Sequence, residues 1–140
     1  MPPPSVWGPL LWKILHGLGI HGGIPSLQRD SERECIWILN HLEYILPCKE
    51  CAEHLIRFRQ KYPVPKSYAT IGEWVCTLHN SVNEKLGKDV IPYAKQEPTD
   101  MGDWRLFLDS VKDSILLGLI QGDKLREFSR HFLLWLQYSR

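Results

Sequence analysis

The sequence predicts an all-α fold, a four-helix bundle followed by a C-terminal helical extension. Three observations lead there. Apolar residues recur at helical spacing in every long segment. The breaks between segments are rich in Gly and Pro, as in "GGIPS" at 22–26 and "PVPKS" at 63–67. No stretch reads as a convincing strand, and there is no repeat or low-complexity tract.

The elements follow in order. A first helix is expected over about Ser5–His21, with Trp7, Leu11, Ile14, Leu15 and Leu18 on one stripe. A second opens near Ser31, where Ser31 and Glu34 form a capping-box pattern. It carries Cys35, Ile38, Leu39, Leu42 and Leu46 and stops at Pro47. The third starts around Cys48 and ends near Tyr62. The fourth opens at Thr70, with Glu73 as its capping partner, and runs to Leu86, where Gly87 is the natural stop. "KDVIPYAKQEP" reads as an irregular connection. A fifth helix is expected over about Asp100–Ile120, ended by "QGD", and a sixth over about Lys124–Tyr138. Residues 1–95 form the bundle in this reading. Residues 96–140 form an extension whose apolar stripes need a surface to cover.

With 140 residues the chain can bury one respectable core. A formal charge of +1 offers no electrostatic footprint for nucleic acid or an acidic membrane. No apolar run approaches the roughly 18 residues of a membrane span. The N-terminus has no basic leader region, and Lys13 and His16 interrupt it, so a secretory signal is not expected. A leaderless protein in a reducing compartment keeps its four cysteines reduced. They therefore do not read as a disulfide framework.

"GLGIHG", Gly17 to Gly22, matches the spacing of a dinucleotide-binding glycine signature. That signature must follow a strand and open a helix. Here it follows a helical stripe and runs into Pro25, so it reads as a helix end.

The chemistry centres on "LPCKEC", residues 46–51. A CxxC pair can bind zinc, exchange electrons or fill space. Zinc needs more ligands; Cys76 and His79 at i, i+3 offer a conceivable Cys3His set, and His54 is the only histidine close by in sequence. For redox work the position is favourable. Pro47 closes one helix and the pair opens the next, where the dipole and unpaired N–H groups stabilise a thiolate. No βαβ setting is present to make it thioredoxin-like, so a redox pair here needs another electron partner.

The fourth helix carries a polar stripe of Cys76, His79, Asn80 and Asn83 beside Trp74, Val75, Leu78, Val82 and Leu86. Amides both donate and accept, which suits the edges of purine or isoalloxazine rings. On the first helix Trp12 and His16 are i, i+4, so their rings are expected to stack along one side. A flat cofactor between these helices and the CxxC helix would account for all three features.

Together "WGPLLWKILH" (7–16), "LPCKEC" (46–51) and "CTLHNSVNEKLGK" (76–88) resemble the Erv/ALR-type FAD-linked sulfhydryl oxidases. The order and spacing of the blocks fit, and the resemblance spans roughly residues 5–93. It implies a four-helix bundle cradling FAD, usually a homodimer, that oxidises protein dithiols and passes the electrons to molecular oxygen to give hydrogen peroxide. By the same resemblance Cys48 and Cys51 are the catalytic pair, Cys51 on the flavin side and Cys48 on the substrate side. The implied cofactor-binding residues are Gly8, Trp12, His16, Cys76, His79, Asn80, Asn83, Lys85 and Lys88, with no metal site.

The departures from the family are informative. There is no second CxxC, so electrons are expected to reach Cys48 directly from a protein dithiol or from a CxxC-bearing redox shuttle. Residue 60 is Gln60, so Cys76 lacks the family's disulfide partner and is expected free and buried; Cys35 is expected to be a free thiol. Compact members lacking the shuttle occur in large DNA viruses. The resemblance therefore implies a leaderless viral enzyme acting in host cytoplasm and virion rather than in a mitochondrion. The alternative is a zinc-stabilised or catalytically inactive helical interaction module.

Overall fold

The computed structural model describes residues 4–20, 25–94 and 97–139. These residues form six α-helices and no strand. The helices are α1 (Pro4–Leu18), α2 (Gln28–Asn40), α3 (Lys49–Lys61), α4 (Tyr68–Lys85), α5 (Met101–Leu116) and α6 (Gly122–Tyr138). Short 3-10 turns cover Pro25–Leu27 and Leu42–Ile45. His21, where the first helix was expected to end, and Gly22 of the glycine signature lie outside the described residues; α1 itself stops at Leu18.

Both Ser/Thr capping boxes are wrong. α2 starts at Gln28, three residues before Ser31, and Ser31 is a buried interior residue whose Oγ donates to Gln28 O at 3.0 Å. Glu34 turns instead to His131 of α6, Nδ1 to Oε2 2.5 Å. α4 is capped by Ser67, whose Oγ accepts from Ala69 N–H, so Thr70 is also inside its helix. The second helix is shorter than expected as well. The His41 ring donates from Nδ1 to Trp37 O at 2.6 Å, while the His41 backbone N–H donates to Ile38 O at 3.1 Å. The α-helix tightens there, and Leu42 to Ile45 continue as a 3-10 turn.

Two stops are glycines in the left-handed region. Gly87 (φ +71°) ends α4 as expected, whereas Gly118 (φ +77°), not "QGD", ends α5. At Gly118 the next N–H, that of Leu119, reaches back to Ser114 O at 2.9 Å, which closes the last turn. α6 then begins at Gly122, two residues before the expected start. α5 has a true capping box: Asp100 Oδ1 accepts from Asp103 N–H at 2.9 Å, and Asp103 Oδ2 accepts from Asp100 N–H at 3.4 Å.

The C-terminal helices cover the bundle. α6 packs along α2 and α5 along α1. Phe107, Phe128, Phe132 and Trp135 are fully buried with Ile38 and Leu39. Trp104 sits among three of these rings, its centroid 4.9 Å from that of Phe132. Each fully buried phenyl contributes about 1.5–3 kcal/mol. Trp135 Nε1 donates to Tyr68 Oη at 2.9 Å and so reaches α4. Asp103 receives Lys13 of α1 at 2.7 Å. Arg59 of α3 grips the turn after α2, donating to Leu39 O at 3.1 Å and to Glu43 Oε1 at 2.9 Å. Trp74 of α4 donates to Tyr62 O at 2.8 Å and sets its ring edge-on to Phe58, which holds α4 beside α3.

Candidate functional site

Pro47 is buried and precedes an extended residue, Cys48 (φ −118°, ψ 118°), which caps α3. The Cys48 Sγ accepts the backbone N–H of Cys51 at 3.3 Å. A sulfur in this place faces the positive end of the helix and one of its unpaired donors. Both cysteines are half-buried free thiols. Cys51 differs from expectation. Burial first, then the hydrogen bond and charge of Cys48, push its thiol up to about 12; the Lys85 ammonium pulls the other way. Cys51 lies inside the first turn while Cys48 occupies the cap, and both pack against the core.

The ring cluster lies between α1 and α4. Trp12 stacks on His79 across the helices, centroids 4.0 Å apart and planes 10° from parallel. This replaces the expected stack along α1: Trp12 and His16 are 6.0 Å apart and tilted by 38°. His16 Nε2 and His79 Nδ1 share a hydrogen bond of 2.9 Å. Burial lowers the pKa of His16, and burial followed by the charges of His16 and Lys88 takes His79 down to about 4. Both rings are neutral at pH 7.

The amides divide their work. Asn80 is used by the chain itself: its Nδ2 donates to Ile91 O and its Oδ1 accepts from Ile91 N, both at 2.7 Å. Cys76 is buried and free, its Sγ directed to the same carbonyl at 3.8 Å. Asn80 and Cys76 thus latch the segment after α4 against that helix and leave no amide for a ligand at Asn80. Asn83 is 7% exposed and donates to Asn80 Oδ1 at 3.4 Å, leaving its own Oδ1 unclaimed among the described residues. Lys85 and Lys88 are exposed at the end of α4. Cys35 is fully buried, its Sγ directed to Leu18 O at 3.4 Å.

Sequence reasoning passed over one pair. His54 Nε2 meets Ser81 Oγ at 2.9 Å between α3 and α4. Its signal was present in the i, i+3 spacing from Cys51, which puts both on neighbouring parts of one helix face. Cys76 and His79 do not join the CxxC in a zinc site: among the described residues no group of three or more His, Cys, Asp or Glu is placed to hold a metal.

The groups present fit a flat, anionic dinucleotide. They comprise stacked neutral rings, an unclaimed amide oxygen, two cations, and a thiol under the influence of one of them. Gly8 adds room: it is buried in α1, yet nothing beyond its own stretch of helix lies within 4 Å of the place a Cβ would take. A groove of about 560 Å³ on α5 and α6, lined by Leu108, Leu125, Arg126 and Leu133 among others, shares no residue with this cluster.

Comparison with known proteins gives the same direction. The sequence model of the Erv1 / Alr family matches residues 9–104. The FAD-linked sulfhydryl oxidase ERV1 of rice (Oryza sativa subsp. japonica) is 37% identical over 90 residues, 61% of this chain and 44% of that protein. The FAD-linked sulfhydryl oxidase of African swine fever virus (isolate Pig/Kenya/KEN-50/1950) is 30% identical over 90 residues, 64% of this chain and 75% of that protein. ERV2 of Saccharomyces cerevisiae is 37% identical over 81 residues, 56% of this chain and 40% of that protein. The chain thus spans less than half of the rice and yeast relatives. No solved structure matches it.

Proposed function

The chain belongs to the Erv1 / Alr family, and from that premise we propose that it is an FAD-dependent thiol oxidase forming disulfides in protein dithiols. The observation that carries the reading is the CxxC at the head of α3, with Cys48 as the helix cap and Cys51 behind it, within the influence of the Lys85 charge. The cofactor is FAD. When bound, it accepts two electrons from the reduced pair and passes them to oxygen, giving hydrogen peroxide. Trp12, His16, His79 and Asn83 would hold it, Gly8 would leave it room, and Lys85 and Lys88 would meet its charge. Cys76 and Asn80 support it indirectly by latching residue 91.

The protein's own part is thiol exchange. A substrate thiolate attacks the Cys48 sulfur of the oxidised pair; the Cys48–Cys51 bond breaks and Cys51 leaves as thiolate. The substrate's second thiol loses its proton and attacks the mixed disulfide, and Cys48 leaves as thiolate. The substrate has then lost two electrons and two protons. The helix N-terminus favours Cys48 as the leaving thiolate in that second step. In this proposal the Cys48–Cys51 pair meets the substrate dithiol or the CxxC of a shuttle protein directly.

Residues 1–95 are the FAD-binding unit in this proposal, and 96–140 are the extension packed on it. Two copies would pair through the leucines that the extension leaves exposed, such as Leu106, Leu116 and Leu117, since α5 and α6 cover α1 and α2. The viral relative supports a place in host cytoplasm and virion. Among the described residues no helix is long and apolar enough to cross a membrane.

The test is direct. Purified protein should be yellow, absorb near about 450 nm as a bound flavin does, and consume oxygen with dithiothreitol. Cys48→Ser should keep the colour and lose the oxygen consumption. A colourless protein that takes up no FAD sinks the reading.

A further inference from the structure

We propose that His54 is the proton acceptor for the Cys48–Cys51 dithiol, held in the required tautomer by Ser81. The proposal rests on the thiol-oxidase reading and adds to it a residue outside the flavin cluster.

The tautomer follows from counting protons. Ser81 Oγ donates its one hydrogen to Leu78 O at 2.8 Å. It therefore accepts from His54, so the proton of the neutral imidazole sits on Nε2, 2.9 Å away. Nδ1 is left with a lone pair and no partner among the described residues. The ring is half-buried, and its pKa is lowered, first by burial and then by the charges of Lys85 on α4 and Arg57 on α3. It stays neutral at pH 7 and is thus a base with one fixed, open acceptor.

Its place on α3 supplies the rest. His54 follows Cys51 by three residues, which makes the two neighbours on the helix surface. Both side chains are half-buried on α3, and the His54–Ser81 hydrogen bond sets this part of α3 against α4, where the Lys85 charge acts on both. A base is needed there. With its pKa near 12, the Cys51 thiol is ionised in only about one molecule in 10⁵ at pH 7. Cys51 leaves the exchange as a thiolate, but with its thiol pushed up to about 12 it takes up a proton at pH 7, and that S–H bond must break again before Cys51 can hand on its electron pair. The pair stays on sulfur and the proton goes to His54 Nδ1. Thiol and imidazole become thiolate and imidazolium. Lys85 then favours the thiolate, and Lys85 with Arg57 drives the proton from the half-exposed ring to solvent.

The experiment is anaerobic stopped-flow reduction of the FAD-loaded protein by dithiothreitol, followed at the flavin band from pH 6 to 10. His54→Gln keeps an amide donor for Ser81 and removes the base. Its limiting rate at pH 7 is expected to fall about 100-fold, as for loss of a general base. The deficit should shrink as pH rises and hydroxide takes over, while the parent protein stays flat above pH 7. Ser81→Ala frees the tautomer and is expected to slow reduction about two- to fivefold with the parent's pH profile. A His54→Gln profile parallel to the parent's overturns the proposal, whatever the absolute rate. If His54→Gln fails to load flavin, an unchanged rate in Ser81→Ala overturns it. Failure of the parent protein to bind FAD sinks the oxidase reading instead. Iodoacetamide alkylation of Cys51, mapped by mass spectrometry across the same pH range, then decides the proposal without flavin: equal labelling in parent and His54→Gln overturns it.

Discussion

Gly17→Ala places a methyl group where the segment before α5 crosses α1. The added Cβ would fall well inside contact distance of Thr99 N, and 2.9 Å from both Glu97 O and Thr99 Cβ. In an open helix this change would stabilise by about 1 kcal/mol, because Ala is the better helix former. Here two of the three obstructing atoms are backbone, and the segment has nowhere to retreat. Thr99 is 2% exposed, and its hydroxyl donates to Asp103 Oδ2 at 3.0 Å. Asp103 also caps α5 and holds Lys13. Overpacking costs about 1–3 kcal/mol, and a strained cap about 0.5–2 kcal/mol more. Against the helical gain, the net loss is about 2 kcal/mol, or about 7 °C in Tm for a chain of this size. Differential scanning calorimetry reads it. A Tm that rises by a few degrees, as for an unobstructed helical glycine, would refute the packing described for residues 97–99. The same result would return the glycine signature to the status of an unexplained motif.

The remaining predictions concern the ring cluster and the two helical layers. Trp12→Ala should weaken FAD binding about tenfold by removing the ring stacked on His79; unchanged affinity in a flavin titration would exclude Trp12 from the site. The flavin-free protein should lose stability as pH falls from 6.5 towards 4. In that window the unfolded chain protonates His79, whose folded pKa is about 4, while the fold keeps it neutral. The His79 share of that loss is on the order of 1 kcal/mol after allowance for solvent screening and is complete below pH 4. The fall in urea midpoint over the window should be correspondingly smaller in His79→Gln, leaving the shares of other groups, His16 and His54 among them. Trp135→Ala should cost about 3–5 kcal/mol in chemical denaturation, since the ring is 1% exposed and bonds to Tyr68. A cost under about 1 kcal/mol would mean that α6 is dispensable. Iodoacetamide should leave Cys35 unlabelled in the native state, because burial pushes its thiol far up; labelling without denaturant would contradict that.

What was legible in the sequence was local. Helix count, the stop at Gly87 and the cap position of Cys48 each depend on a few consecutive residues, and their physics is short-ranged. The capping boxes failed for an equally local reason. Ser-x-x-Glu and Thr-x-x-Glu also occur within helices, and the starts were set upstream by the 3-10 turn at Pro25 and by Ser67 after Pro65. The real box used Asp100 and Asp103, where the third residue is an aspartate rather than a glutamate. Contacts between helices were out of reach of periodicity. Trp12 and His79 are 67 positions apart, and nothing on α1 alone reveals that His79, not His16, is the stacking partner. Asn80 looked like a ligand-binding amide because its residue type fitted; only the course of the chain at Ile91 shows that its hydrogen bonds are already satisfied.

α1 links the extension to the site. Trp12 and His16 point towards α4, while Lys13 and Gly17, the next residue in each case, meet Asp103 and Thr99 at the head of α5. Consecutive residues on a helix are about 100° apart, so two neighbouring stripes of one rod carry both contacts. A rod of helix cannot shift one stripe and leave the other in place. The position of the stacked rings therefore depends on how α5 seats against α1, and α5 in turn is seated by Trp104 packed among Phe128 and Phe132 of α6. On this geometry the C-terminal hairpin is part of what fixes the ring cluster, although none of its residues enters that cluster.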